Sequence, residues 1–180
     1  TYEDNEEATA RVSEDASASG KRSLKFVKSK NTTHAYNPHF CYDTAFTSGV
    51  LVGRFALRME PKGQFTHEWR DWSSQPYKSG PSLYVDAGGN LAANGKPVVK
   101  LPAGEWVRFE IECGIGPQAA GTYDLTVTLP GEPPRRHAGL PCNAPLKKLT
   151  WFGFTAQGDT PGTCFYLDDV SLAPLSALTE

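Results

Sequence analysis

The chain has 180 residues, 39% hydrophobic and 21% charged, enough for a single domain over residues 1–180 with a substantial core. With 18 Lys and Arg against 20 Asp and Glu its formal net charge is -2, so no overall charge draws it to nucleic acid or to a membrane surface. No apolar run could cross a bilayer and no signal peptide opens the chain, while 17 Gly, 14 Pro and a single Met favour short strands and turns over helices.

Residues 1–19 are acidic and rich in Ser and Ala, with Ala10-Arg11-Val12 the one hint of a strand, so this stretch is expected to be partly irregular. The opening on Thr1 reads as a processed or excised start. Ser23 to Lys28 is the first clear strand, and Tyr36 to Tyr42 follows, with Pro38 marking an edge or a strand start. Asn31-Thr32-Thr33 has the form of a glycosylation acceptor, a triplet that is common by chance. Val50 to Glu60 is a long strand with Leu51, Gly53, Phe55, Leu57 and Met59 on one face and Val52, Arg54, Ala56, Arg58 and Glu60 on the other. Pro61-Lys62-Gly63 turns it into a returning strand, Gln64 to Trp69, and Arg70 to Gly80 reads as a long loop carrying Trp72 and Tyr77.

Pro81 to Asp86 is predicted as a strand, and two short strands flank Asn94-Gly95, a strong hairpin dipeptide. From Glu105 to Cys113, Val107, Phe109, Ile111 and Cys113 alternate with Trp106, Arg108, Glu110 and Glu112. The same period returns in Tyr123, Leu125, Val127 and Leu129, and strands near Arg135 to Leu140, Leu149 to Thr155 and Phe165 to Leu172 complete the run. Many strands between turns predict an all-β fold, a two-sheet antiparallel β-sandwich.

Four cysteines allow three pairings, and none forms a C-x-x-C pair of the zinc-ribbon or thioredoxin kind. Cys41 and Cys164 lie in strand-like segments, Cys113 ends a strand and Cys142 sits in a turn, which favours Cys41–Cys164 and Cys113–Cys142. Such bridges imply an oxidising setting, secreted, cell-surface or periplasmic; free buried thiols are the alternative.

In Phe165-Tyr166-Leu167-Asp168-Asp169-Val170-Ser171-Leu172, inward Val170 and Leu172 would bring Asp168 inward with them. An acid on the core side is costly unless paired or bound to a metal, so Asp168 and Glu3 are expected to share a calcium ion that ties the chain ends; a solvated acid pair in a turn is the alternative.

Tyr2-Glu3, Gly20-Lys21-Arg22-Ser23-Leu24-Lys25-Phe26 and the Phe165 to Leu172 strand resemble secreted jelly-roll domains. These are the concanavalin A-like and carbohydrate-binding-module sandwiches that accompany bacterial polysaccharide-degrading enzymes. The resemblance implies a jelly roll, a structural calcium held by Glu3 and Asp168 with carbonyls near Lys21 or Ser23, a polysaccharide ligand and an attached catalytic domain. Gly104 to Ile111 is similar to a strand common in laminin-G-like sandwiches. The Trp69 to Tyr77 insertion departs from other modules, so their ligand pockets do not carry across.

Two regions are candidates for that ligand. Trp69, Trp72 and Tyr77 could stack on a sugar ring while Arg70, Asp71, Glu68 and His67 supply hydrogen bonds, although such a Trp also serves to plug a sandwich end. Arg54 and Arg58, neighbours on one strand face, are spaced to meet the carboxylate or sulfate groups of an acidic glycan; a solvated face of Arg–Glu pairs is the alternative.

Catalytic patterns are sparse. Glu110-Ile111-Glu112 resembles the alternating acids of jelly-roll glucanases but lacks the third, since position 114 is Gly. His67, Arg70 and Tyr77 could serve a lyase, whereas His34, His39 and His137 show no metal spacing. The chain is therefore expected to be a noncatalytic carbohydrate-binding module, not an enzyme. A jelly-roll polysaccharide lyase or glycoside hydrolase is the first alternative, and a structural or adhesive sandwich that binds protein is the second.

Overall fold

The computed structural model describes residues 1–178. Among them are thirteen strands: β1 (Thr9–Ser13), β2 (Ser23–Lys28), β3 (His39–Phe46), β4 (Gly49–Met59), β5 (Gln64–Asp71), β6 (Lys78–Val85), β7 (Asn90–Ala93), β8 (Lys96–Lys100), β9 (Trp106–Ile115), β10 (Thr122–Thr128), β11 (Arg135–Pro141), β12 (Leu149–Gln157) and β13 (Gly162–Pro174). They form a seven-stranded sheet, in the order β1-β2-β13-β4-β9-β10-β11, and a six-stranded sheet, β3-β12-β5-β6-β7-β8. These pairings are antiparallel, so the chain is the expected all-β, two-sheet antiparallel sandwich.

The core lies between the sheets because each strand turns its apolar alternates to the same side. Phe55 and Phe109 stack at 4.9 Å, and Phe65, Phe152, Phe154 and Phe165 close around them with almost no exposure. Truncating one of these rings to Ala would cost about 3–5 kcal/mol. The hairpin at Asn94-Gly95 forms as its residues predict, with both in the left-handed region.

Several expectations are corrected by the packing. The Arg70–Gly80 loop shrinks to residues 72–77, because β5 continues through Asp71 and β6 starts at Lys78. Trp69 therefore lies within a strand whose alternation sends Phe65, His67, Trp69 and Asp71 inward. It is 0% exposed, so it belongs to the core and not to a ligand surface. Gly53 makes room for it: a Cβ there would stand 2.8 Å from the indole.

Asp168 does not share a face with Val170. A bulge in β13 sets Leu167 opposite Leu57 and Asp168 opposite Ala56, then Ser171 opposite Arg54, and Asp169 takes φ 50° within it. One added residue reverses the alternation, so Leu167 below the bulge and Val170 and Leu172 above it all reach the core, and Asp168 does not. Its Oδ2 accepts the Ala18 and Ser19 amides at 2.8 and 3.2 Å, and its Oδ1 accepts the Asp169 amide. Glu3 instead grips Arg11 at 2.9 Å and the Ala10 amide. The two carboxylates are engaged by different partners and do not fit a shared calcium; among the described residues no group of three or more His, Cys, Asp or Glu is placed to hold a metal.

Cys41 and Cys164 are likewise not brought together. Cys41 belongs to β3 in the six-stranded sheet, Cys164 to β13 in the other, and both are free thiols. Cys113 and Cys142 do meet, thiol to thiol.

Candidate functional site

The outer face of the six-stranded sheet carries a row of residues set by register. Trp151 on β12 pairs with Asp43 of β3 on one side and Arg70 of β5 on the other; one step along, Gly153 lies between Cys41 and Glu68. A further step brings Thr155 between His39 and Thr66. Gly153 keeps the floor flat, because a Cβ at that position would run into the Trp151 ring at 2.2 Å. The indole lies over the strand, and the Arg70 guanidinium stacks on it at 3.9 Å from the ring centre. Tyr77 covers the same guanidinium at 4.8 Å, and Trp72 packs on Tyr77 at 4.3 Å.

The short loop that bears Trp72 and Tyr77 is held at its base. Buried Asp71 accepts the Ser73 amide at 2.8 Å and the Lys148 amide at 3.2 Å, and the Trp72 amide donates to Thr150 Oγ1 at 2.9 Å. Trp72 is thus presented to solvent, 43% exposed, as a stacking surface on a fixed mount.

A pocket of about 240 Å³ opens among Tyr36, His39, Arg70, Trp72, Tyr77, Trp151 and Thr155. A second, of about 350 Å³, shares His39, Trp72 and Trp151 with it and runs on past Tyr2, Cys41 and Asp43. Together they make an open cleft with aromatic walls, a cation at one end of the Trp151 row and a carboxylate at the other.

His39 is the histidine of this cleft and its candidate base. Its ring stacks on Tyr2 at 4.4 Å, Tyr36 stands edge-on at 5.8 Å, and Nδ1 lies 2.7 Å from Asn37 Oδ1. An amide oxygen only accepts, so Nδ1 carries the proton and Nε2 presents a lone pair. Burial, and after it the charge of Arg70, holds the imidazole below its ordinary pKa, so it is neutral at neutral pH.

The residues predicted from sequence separate into three places. Arg70, Trp72 and Tyr77 line this cleft, and Glu68 stands beside Arg70 outside it, its Oε2 taking Arg70 at 2.7 Å and its Oε1 the Ser82 hydroxyl at 3.1 Å. His67 and Trp69 are in the core, where the indole N–H donates to His67 Nε2 at 3.1 Å and His67 Nδ1 reaches the Gly153 carbonyl at 2.8 Å. Arg54 and Arg58 lie on the outer face of the opposite sheet, paired with Glu110 and Glu60. His39, Tyr36 and Trp151 escaped the sequence reading, although the alternation His39, Cys41, Asp43 would have put the histidine on an outer strand face.

No protein-family model matches the chain. No curated protein matches it either. Solved structures do. An endo-β-1,4-glucuronan lyase from the fungus Trichoderma reesei superposes with TM-score 0.62 at 9% identity, over 97% of this chain and 90% of that one. The marine PL-14 alginate lyase from Aplysia kurodai gives 0.61 at 13%, over 92% and 87%. Peanut lectin gives 0.57 at 10%, over 96% and 95%. The expectation of a chain that is not an enzyme is corrected by these likenesses, two of which are to polysaccharide lyases. At such identity they establish a shared fold: the chain is a concanavalin A-like jelly roll, an architecture that serves both polysaccharide-cleaving enzymes and lectins.

Proposed function

We propose that the chain is a polysaccharide lyase that cleaves a uronate-containing glycan by β-elimination in the cleft over Trp151. The observation that carries this reading is a neutral His39 with its Nε2 lone pair unengaged among the described residues, in one pocket with the Arg70 guanidinium and the Tyr36 and Tyr77 rings. Elimination needs those three kinds of group. A cation on the uronate carboxylate makes the C5 proton removable, a base takes it, and an acid protonates the departing oxygen.

In this cleft Arg70 meets the carboxylate and His39 Nε2 takes the C5 proton. The electron pair of that C–H bond becomes the C4–C5 double bond as the C4–O bond breaks. The hydroxyl of Tyr36 or Tyr77 gives the leaving oxygen its proton, while Trp72 and Trp151 offer ring faces to the sugars. Hydrolysis is less well served: it needs a carboxylic acid and a carboxylate facing the bond, whereas both oxygens of Glu68 are engaged and Asp43 lies two strands away.

The test is incubation with a polyglucuronate, an alginate and a neutral glucan, following the ultraviolet absorbance of the unsaturated sugar end. A uronate polymer should yield that signal, and His39→Ala or Arg70→Ala should lower the rate by about 10²-fold or more. New reducing ends without absorbance would refute elimination, and glycan retention without any cleavage would refute catalysis.

A further inference from the structure

Asn37 and the segment around it are built with unusual care. The Lys28 ammonium, 1% exposed, donates to the carbonyls of Ala35 at 2.7 Å and Asn37 at 2.5 Å. The Asn37 amide N–H donates to His34 O at 3.0 Å, so its backbone is anchored on both sides. What these contacts leave open is the side-chain amide, whose two ends are nearly equal in shape and opposite in hydrogen bonding.

Asp4 decides between them. Its Oδ1 accepts the Thr33 amide at 2.7 Å, and its Oδ2 accepts the His34 amide at 3.1 Å and Asn37 Nδ2 at 2.9 Å. These donors, the Thr33 amide first and the Asn37 side chain next, hold the Asp4 carboxyl well below the usual carboxylate range, so it stays an acceptor throughout neutral and mildly acidic pH. A carboxylate cannot face an amide oxygen favourably. Asn37 must therefore turn its NH₂ to Asp4 and its oxygen to His39.

Resting on the lyase reading for its consequence, we propose that Asp4 is a positioning residue that sets the tautomer of His39 through Asn37, keeping the proton on Nδ1 and the lone pair on Nε2. The N-terminal segment is thereby part of the active site. Tyr2 exchanges two backbone hydrogen bonds with His39, at 2.7 and 3.0 Å, and lays its ring on the imidazole, while Asp4 orients the group behind it. With the amide reversed, Asn37 would donate to Nδ1 and the proton would move to Nε2, the atom that has to receive one.

Asp4→Ala tests this by removing the acceptor: water satisfies the exposed Thr33 and His34 amides, and nothing then holds the Asn37 NH₂ away from His39. Nitrogen-15 NMR of labelled protein should show the His39 Nε2 signal moving from a bare toward a protonated ring nitrogen. In the elimination assay kcat should fall about 3- to 30-fold with KM within about twofold. Adding Asn37→Asp to Asp4→Ala restores an acceptor facing Nδ1, and should restore both the bare Nε2 signal and most of kcat. An unchanged Nε2 signal in Asp4→Ala, or no rescue of that signal in the double variant, would overturn the relay. A protein that shows the predicted tautomer changes yet cleaves no uronate polymer would leave the relay standing and refute the lyase reading.

Discussion

His67 offers a quantitative check on the packing that carries the site. It is 0% exposed, wedged between Phe55, Phe152 and Phe154, and burial pushes its pKa from 6.5 down to about 3. An unfolded chain protonates this histidine below its ordinary value, while the folded one does not until far lower pH. The unfolded state therefore binds more protons across that window, and stability falls as pH drops from about 6.5 to about 3. At about 1.4 kcal/mol per unit the full loss is about 5 kcal/mol, a large share of the ~5–15 kcal/mol that holds a typical domain together. His67→Gln keeps an acceptor for the Trp69 indole and a donor for the Gly153 carbonyl but cannot titrate. Urea unfolding of both proteins between about pH 7 and about pH 4, with carboxylate contributions common to the two and cancelling in the comparison, should show a shallower acid decline in the variant. The stability difference between the two should close by about 3 kcal/mol over that range. Parallel pH profiles would mean that the His67 pocket admits water or a proton, and the account of the core beneath the cleft would fail.

Three further outcomes follow from the same contacts. The His39 imidazole is held down by burial and then by Arg70, so the acid limb of kcat/KM should lie below the ordinary histidine value, and Arg70→Gln should raise the NMR titration midpoint of His39; an unmoved midpoint would separate the two groups. Asp43 stands at the far end of the Trp151 row with no ion pair among the described residues, so Asp43→Asn should raise kcat/KM on a fully charged polyuronate by a few-fold, about 3- to 10-fold, and less at high salt; an equal gain on a weakly charged glycan would argue against charge repulsion. Among the cysteines, Cys113 and Cys142 touch, and the hydrogen bond from Cys113 holds the Cys142 thiol below its usual pKa. Oxidised glutathione should therefore join that pair, each bridge reducing one glutathione disulfide to two thiols, while Cys41 and the buried Cys164 stay thiols that are alkylated once the oxidised protein is unfolded; a Cys41–Cys164 peptide in the mass spectrum would contradict the fold.

The alternation of apolar and polar side chains was enough to announce the sandwich, and Ser23–Lys28 and Arg135–Pro141 emerge almost residue for residue. It announced less at Asp168, where a single bulged residue reversed the count, and at Trp69, where the strand ran two residues further than the aromatic cluster implied. Strand period is local, so a chain read alone shows which residues share a face but not which faces meet. Arg70, Trp72 and Tyr77 were legible as a cluster because they are neighbours in sequence. His39, Trp151 and Asp4 join them only through cross-strand register and a loop anchored by Lys28, pairings spanning tens of residues that packing alone selects. The residue types that could do chemistry were written in the chain, and tertiary structure chose among them. It buried His67 in aromatic rings and left His39 at an open cleft with its Nε2 lone pair unengaged among the described residues.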